Sequence, residues 1–253
     1  MECISHVLFA HPKSLLWLKY YPTVLLIDCT YKTNQFKMPL LHIVGCTNIN
    51  TTFVVGYTFL KEESTEDYIW AIKTLKGILE QPGFVFPSVI ITDQELALIN
   101  AVRHVFPLAK QALCIWHVEK NVLSKAGSFF GEGEGDKQDE FMKAWARVLS
   151  SGSWLDYEDN WDTLYNTYWT NYSDLVVYLR DTWLPFKWNL VCFWVDQNLH
   201  FSNRATSQIE GTHSVLKNYL QVSTSNLRTV LDRIILLLTN QHTKHDAELD
   251  KER

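Results

Sequence analysis

The sequence predicts an α/β protein, with a mixed five-stranded sheet flanked by helices and an all-helical insertion. Three features carry that reading. Short aliphatic runs, Val24–Ile27 and Val89–Ile91, have the length and composition of strands covered on both faces. Helical periodicities alternate with such runs through the first half of the chain. Beyond about residue 118 the strand-like runs stop, and seven of the ten tryptophans fall between Trp145 and Trp194, a density suited to helices packed by large rings.

Taken in order, Ser14–Tyr20 reads as a short helix, with Pro12 in its first turn and Pro22 just beyond it. Val24–Ile27 runs as a buried strand into Asp28. Leu40–Cys46 and Thr52–Phe59 are two more strands, joined by the polar turn Asn48-Ile49-Asn50, and three strands so linked suggest an antiparallel meander. Ser64-Thr65 caps a helix whose stripe is Tyr68, Ile72, Leu75 and Leu79, ending near Pro82-Gly83. Val89–Ile91 is a fourth strand and finishes close to a second acid, Asp93. Leu98, Ile99, Val102 and Phe106 outline a helix closed by Pro107, and Gln111–Ile115 is the fifth strand.

In the insertion, Phe141–Val148, Trp161–Tyr168 and Leu175–Trp183 have helical spacing. The acidic, glycine-rich stretch 131–136 reads as a flexible loop. Ile209, Leu216 and Leu220, with His213 between them, mark one face of a helix that starts at Glu210, and Leu227, Leu231, Ile234 and Leu238 mark a last amphipathic helix. The charged stretch 244–253 has little to bury. The expected division is a first core segment 1–117, an insertion 118–200, a returning core segment 201–242 and a tail 243–253.

At 253 residues and 47% apolar composition the chain is long and apolar enough for a full core. A net charge of −5 argues against a stand-alone nucleic-acid binder, which normally carries a basic excess for phosphates. Five scattered cysteines with no C-x-x-C pair indicate neither a disulfide framework nor a four-cysteine zinc site, so a reducing compartment is expected. No leader pattern opens the chain and no apolar run approaches a membrane span, which points to a soluble intracellular protein with no membrane partner.

Asp28, Asp93 and Glu210 are the candidate site. The ends of central strands are where open α/β sheets gather ligands, and a helix at that edge can bring a third carboxylate. Hard divalent cations such as Mg²⁺ prefer oxygen donors and fill their shell with water and phosphate. Three acids at one edge would suit two ions set roughly 3.5–4 Å apart for phosphoryl transfer. Each acid also fits a purely structural role: Asp93 as a helix N-cap, Asp28 in a polar turn, and Glu210 as the acid of a capping box with Ser207.

Four segments, Asp28–Asn34, Ile91–Ala97, Cys114–His117 and Ser202–Lys217, together resemble the transposase domain of Mutator-like elements (MULE), most closely its fungal branch. The likeness runs from about residue 8 to about residue 240. It implies a fold similar to ribonuclease H and retroviral integrase, with an all-α insertion between the second Asp and the Glu. It implies a DDE triad of Asp28, Asp93 and Glu210 that is both catalytic and metal-binding, holding two Mg²⁺ (or Mn²⁺) ions. The activity implied is phosphodiester hydrolysis and strand transfer on DNA, at terminal inverted repeats and target, by a homo-oligomer in the nucleus.

Cys114 and His117 resemble the family's C-x-x-H element, an auxiliary part of the site. A zinc reading lacks two further ligands, and Cys114 also fits as a small buried hydrophobe at a strand end. Lys217, two turns after Glu210, is placed to meet a phosphate or simply to be solvated. One ring of the insertion is implied to stack on a DNA base, worth about 1–3 kcal/mol, while most rings must be core. The zinc-containing modules common in full-length members are not found in these residues, so terminal-repeat recognition is expected to come from elsewhere. The alternative is a transposase-derived regulator of transcription that binds DNA without cutting it.

Overall fold

Val24-Leu25-Leu26-Ile27 opens the central strand β2 (Val24–Thr30), whose neighbours on both sides complete the sheet. The structure is a computed structural model that describes residues 5–30, 33–48, 51–131, 133–197, 216, 218 and 226–243, with 244–251 described as backbone alone. Two compact units make up the chain, Met1–Gln111 with His200–Arg253, and Ala112–Leu199. Among the described residues, no helix is long and apolar enough to cross a membrane.

The elements of the first unit, in chain order, begin with β1 (Val7–Phe9), α1 (Pro12–Tyr20), β2, β3 (Leu40–Cys46) and β4 (Thr52–Phe59). They continue with α2 (Thr65–Leu79), β5 (Val89–Thr92), α3 (Leu96–Val105) and β6 (Lys110–Leu113), where the sequence passes into the second unit. The strand order is β1-β4-β3-β2-β5-β6. β2, β3 and β4 form the expected antiparallel meander, and β2 runs parallel to β5, from Val24 opposite Val89 to Ile27 opposite Thr92.

The sheet has six strands, not five. The extra one, β1, pairs Val7–Phe9 antiparallel with Tyr57–Phe59 at the edge. Three residues are too few to show a period, so nothing in the sequence announces it.

Alternation along the strands builds two apolar layers. On one side Leu25, Ile27, Leu41, Ile43, Phe53 and Ile90 pack with Leu18 of α1, Ile72 and Leu75 of α2, and Leu98 and Val102 of α3. On the other, Leu40, Val54, Tyr57 and Phe59 pack with Leu216 and with Val230, Ile234, Leu237 and Leu238 of the C-terminal helix. Burying each large aliphatic side chain contributes about 1.5–3 kcal/mol, so both layers are needed to hold the sheet. The C-terminal helix spans Leu227–Lys251, well past Leu238, the last residue of that layer, because Ala, Glu, Leu and Lys favour a helix by propensity. His242 on that helix shares a hydrogen bond with Ser14 of α1 (Nε2 to Oγ, 3.1 Å).

The second unit is helical: α4 (Ile115–Ala126), α5 (Gly135–Leu149), α6 (Trp154–Tyr178), then short helices α7 (Lys187–Leu190) and α8 (Cys192–Val195). The C-terminal helix is therefore α9. Helix α5 already includes Gly135 and Asp136 of the stretch read as a loop, and it follows Gly133, whose φ of +87° is a left-handed value that glycine adopts without strain. Phe141, Trp145, Leu164 and Trp183 are fully buried, and the Phe141 and Tyr168 rings meet edge to face at 5.1 Å. Ser153 caps α6, accepting from the Asp156 N–H (3.1 Å). At Tyr172 the backbone leaves helical values (φ −137°, ψ 41°), which kinks α6 between the two periodic runs seen in the sequence.

Candidate functional site

Asp28 and Asp93 each follow the last residue pair of the parallel β2–β5 ladder. Ile27 lies opposite Thr92 in that last pair; Asp28 follows within β2, and Asp93 follows as the first residue past the end of β5. Asp28 is inside β2, only 6% exposed, and its Oδ1 accepts the Cys29 N–H (2.8 Å). That removes the turn role for it. Asp93 is half-buried, and its Oδ1 accepts the Glu95 N–H (3.2 Å). The N-cap of α3 is instead Glu95, whose side chain accepts from the Ala97 N–H (3.2 Å). Asp93 therefore shapes the turn before the helix without being its cap.

The row continues across the meander. Asp28 lies opposite His42 on β3, and His42 lies opposite Tyr57 on β4. His42 is fully buried and its ring stacks on Tyr57, with centroids 4.5 Å apart and planes 12° from parallel. Burial pushes the Tyr57 hydroxyl well above its ordinary pKa, so it stays protonated. Asp28, His42 and Tyr57 thus form one polar file across three strands, ending on the layer that Leu216 and α9 cover. His42 escapes a reading of the sequence because its neighbours arrive only through strand pairing.

The other side of the same edge carries Cys29, Glu63 and Tyr68. Burial raises the Cys29 thiol, helped by the Glu63 charge and by Asp28. Tyr68 is raised by burial first, then by Cys29, Glu63 and Asp93. Glu63 is a further acid near the strand ends, and in sequence it looked like an ordinary residue before the cap Ser64.

The loop after β2 is held by Asn34. Its Oδ1 accepts from Phe36 N–H (3.1 Å) and Met38 N–H (3.2 Å), while its Nδ2 donates to the Met38 carbonyl (2.8 Å). The chain turns back to β3 through Lys37, a non-glycine residue with φ +58°.

Cys114 and His117 belong to the second unit. Cys114 is 1% exposed and is the N-cap of α4, its Sγ accepting from the His117 N–H (3.4 Å). The C-x-x-H spacing is thus the cap-to-third-residue spacing of a helix start. The His117 ring meets Trp116 edge-on at 4.8 Å. Glu210 and Lys217 lie outside the described residues. Among those described, no three His, Cys, Asp or Glu side chains gather as a metal cluster. The two aspartates nevertheless offer oxygen donors of the kind a hard divalent cation prefers.

Comparison with known proteins finds one family model matching part of the chain. Residues 24–121, which include Asp28, Asp93, Cys114 and His117, match the model of the MULE transposase domain. The chain is 26% identical over 237 residues to Protein FAR1-RELATED SEQUENCE 5 of Arabidopsis thaliana, covering 88% of this chain and 27% of that protein. It is 25% identical over 165 residues to Protein FAR-RED IMPAIRED RESPONSE 1 of the same plant, covering 64% and 19%. It is 34% identical over 127 residues to the PKS-NRPS hybrid synthetase cheA of Chaetomium globosum, covering 49% and 3%. The chain thus spans about a quarter or less of these relatives.

Proposed function

We infer, from the match of residues 24–121 to the MULE transposase domain and the likeness to the FAR1-related proteins, that this chain is the catalytic domain of a DNA transposase. The observation that carries the reading is that Asp28, within β2, and Asp93, just past β5, each follow the last pair of the parallel β2–β5 ladder. An RNase H-like core is part of it, supported by the antiparallel meander that gives way to a parallel neighbour at β2. Glu210 is the proposed third acid, and Leu216, buried on the side of the sheet that carries Asp28, supports a helix arriving there.

Asp28, Asp93 and Glu210 would hold two Mg²⁺ or Mn²⁺ ions. When bound, such ions supply Lewis-acid activation of the attacking oxygen and relief of charge on the leaving one. The chain's own contribution is to fix the oxygens. β2 holds Asp28 and the end of β5 leads into Asp93, while the Cys29 N–H turns Asp28 and the Glu95 N–H turns Asp93. The substrate is DNA at element ends and target, handled by an oligomer in the nucleus, with recognition of the repeats supplied beyond this domain.

A second reading is favoured by the likeness to the FAR1-related proteins, whose names do not speak of transposition. In it the sheet edge is kept for binding DNA and regulating transcription without cleavage. One experiment separates the two. Purified chain is incubated with terminal-repeat duplex and Mn²⁺, as wild type, Asp28→Asn and Asp93→Asn, with and without EDTA. The catalytic reading expects nicking that EDTA abolishes and that each variant lowers about 100-fold or more, since losing even an outer-sphere partner of a metal ligand costs 10–100-fold. Nicking equal in all three proteins, or none in any while DNA is bound, ends it.

A further inference from the structure

Helix α6 carries a ladder of rings along the flank of its buried stripe. Trp161, Tyr165 and Trp169 follow at four-residue intervals, while Leu164 and Tyr168 turn inward. The Tyr165 and Trp169 rings stack at 4.8 Å with planes 15° apart, and Trp161 stands 6.5 Å from Tyr165. Trp169 is 37% exposed, and the other two rings are half-buried. At 100° per residue, Glu158 and Asp162 fall on the same side, and both are exposed. The whole of α6 contains Asp156, Glu158, Asp159, Asp162 and Asp174 and not one lysine or arginine.

Three kinds of occupant fit rings, but only one fits these rings with these acids. A nucleic-acid strand would stack on the ladder, yet its phosphates would face Glu158 and Asp162. A neutral apolar helix would strip water from both carboxylates and give nothing back. Arginine side chains satisfy both demands, because the guanidinium plane lies on an aromatic face and its charge meets a carboxylate. The helix already shows this chemistry inside the chain. Lys187 of α7 places its Nζ 5.1 Å from the Trp154 ring centre and 5.5 Å from that of Tyr157, both on α6. The same ammonium is 5.1 Å from Trp188 and 5.6 Å from Trp194.

We propose that Trp161, Tyr165 and Trp169, with Glu158 and Asp162, form a docking face for an arginine-rich segment of a partner protein. This surface is independent of the strand-end acids and needs no metal. The test titrates the full chain with a labelled short peptide of alternating arginine and serine, with the lysine counterpart, and with a single-stranded oligonucleotide. Fluorescence anisotropy reports binding at low and moderate salt. The arginine peptide is expected to bind more tightly than the lysine peptide. Tyr165→Ala with Trp169→Ala, which leaves net charge unchanged, should weaken it about tenfold or more, the scale of losing two aromatic anchors. Glu158→Gln with Asp162→Asn should weaken it as well. Should the ring variant fail a circular-dichroism check of folding, the carboxamide variant decides alone. Peptide binding untouched in a folded variant of either kind, or no binding by wild type, overturns the proposal. So does oligonucleotide binding that the ring variant abolishes, an outcome that would assign the face to nucleic acid.

Discussion

Asn34 accounts for the β2–β3 connection with a single side chain that serves two N–H groups and one carbonyl. Asn34→Ala removes those hydrogen bonds from half-buried and exposed backbone groups, at a cost of about 0.5–1.5 kcal/mol for each net bond lost. The urea midpoint should fall with the m-value unchanged. Glu119 on α4 gives a pH-dependent counterpart. Burial raises its carboxyl above the ordinary value, so the fold favours the protonated form. The stability this confers is complete below the unfolded-state pKa and is lost as pH rises through the folded one. Glu119→Gln should therefore melt higher than wild type at neutral pH, with the difference closing below about pH 4. At this scale the sequence was informative where chemistry is local. Asp28 and Asp93 stood out because aliphatic runs led into them, whereas His42 gave no sign, since one histidine in an apolar run reveals nothing of the acid and tyrosine that pairing sets beside it.

Strands and helices follow from period and from their ends. The runs at Val24, Leu40, Thr52 and Val89 became strands, and the stripe Tyr68-Ile72-Leu75-Leu79 became the buried side of α2. What escaped detection was short or set by partners: β1, with three residues, and the kink at Tyr172, which no proline or glycine signals. Gly45 shows how tightly two strands fit. A Cβ there would lie 2.3 Å from Cζ of Phe53, its cross-strand partner. Gly45→Ala should cost about 1–3 kcal/mol, the range for overpacking a core, read as a lower denaturation midpoint. On the opposite layer Ile234→Ala opens a hole between α9 and β4, and about 2–5 kcal/mol should be lost.

At the scale of the whole molecule, charge and metal linkage can be measured together. A chain of net charge −5 gains little from long-range attraction to DNA, so its affinity alone should be weak and should change only modestly with salt, since few counterions are released. Ion binding acts on the folded state only. At 100 times the dissociation constant a single site adds about 2.7 kcal/mol, which for a chain of this size is a melting-point rise on the order of 5–10 °C. Mn²⁺ should produce that rise in wild type, EDTA should reverse it, and Asp28→Asn should not show it. Absence of any shift in wild type would count against the two aspartates as a metal site. The mixed sheet was readable from the order of runs, while the file of polar residues across it required the register, which no linear pattern encodes.

The layer formed by Leu40, Val54, Tyr57 and Phe59 is closed by Val230, Ile234, Leu237 and Leu238, which come from far along the chain. On a ribosome adding roughly 5–20 residues per second, the sheet emerges with that greasy side bare for about 10–40 s before its cover is made. During this window the nascent chain is a natural client for a holding chaperone, and a stall in translation before α9 would leave a sticky, half-roofed product.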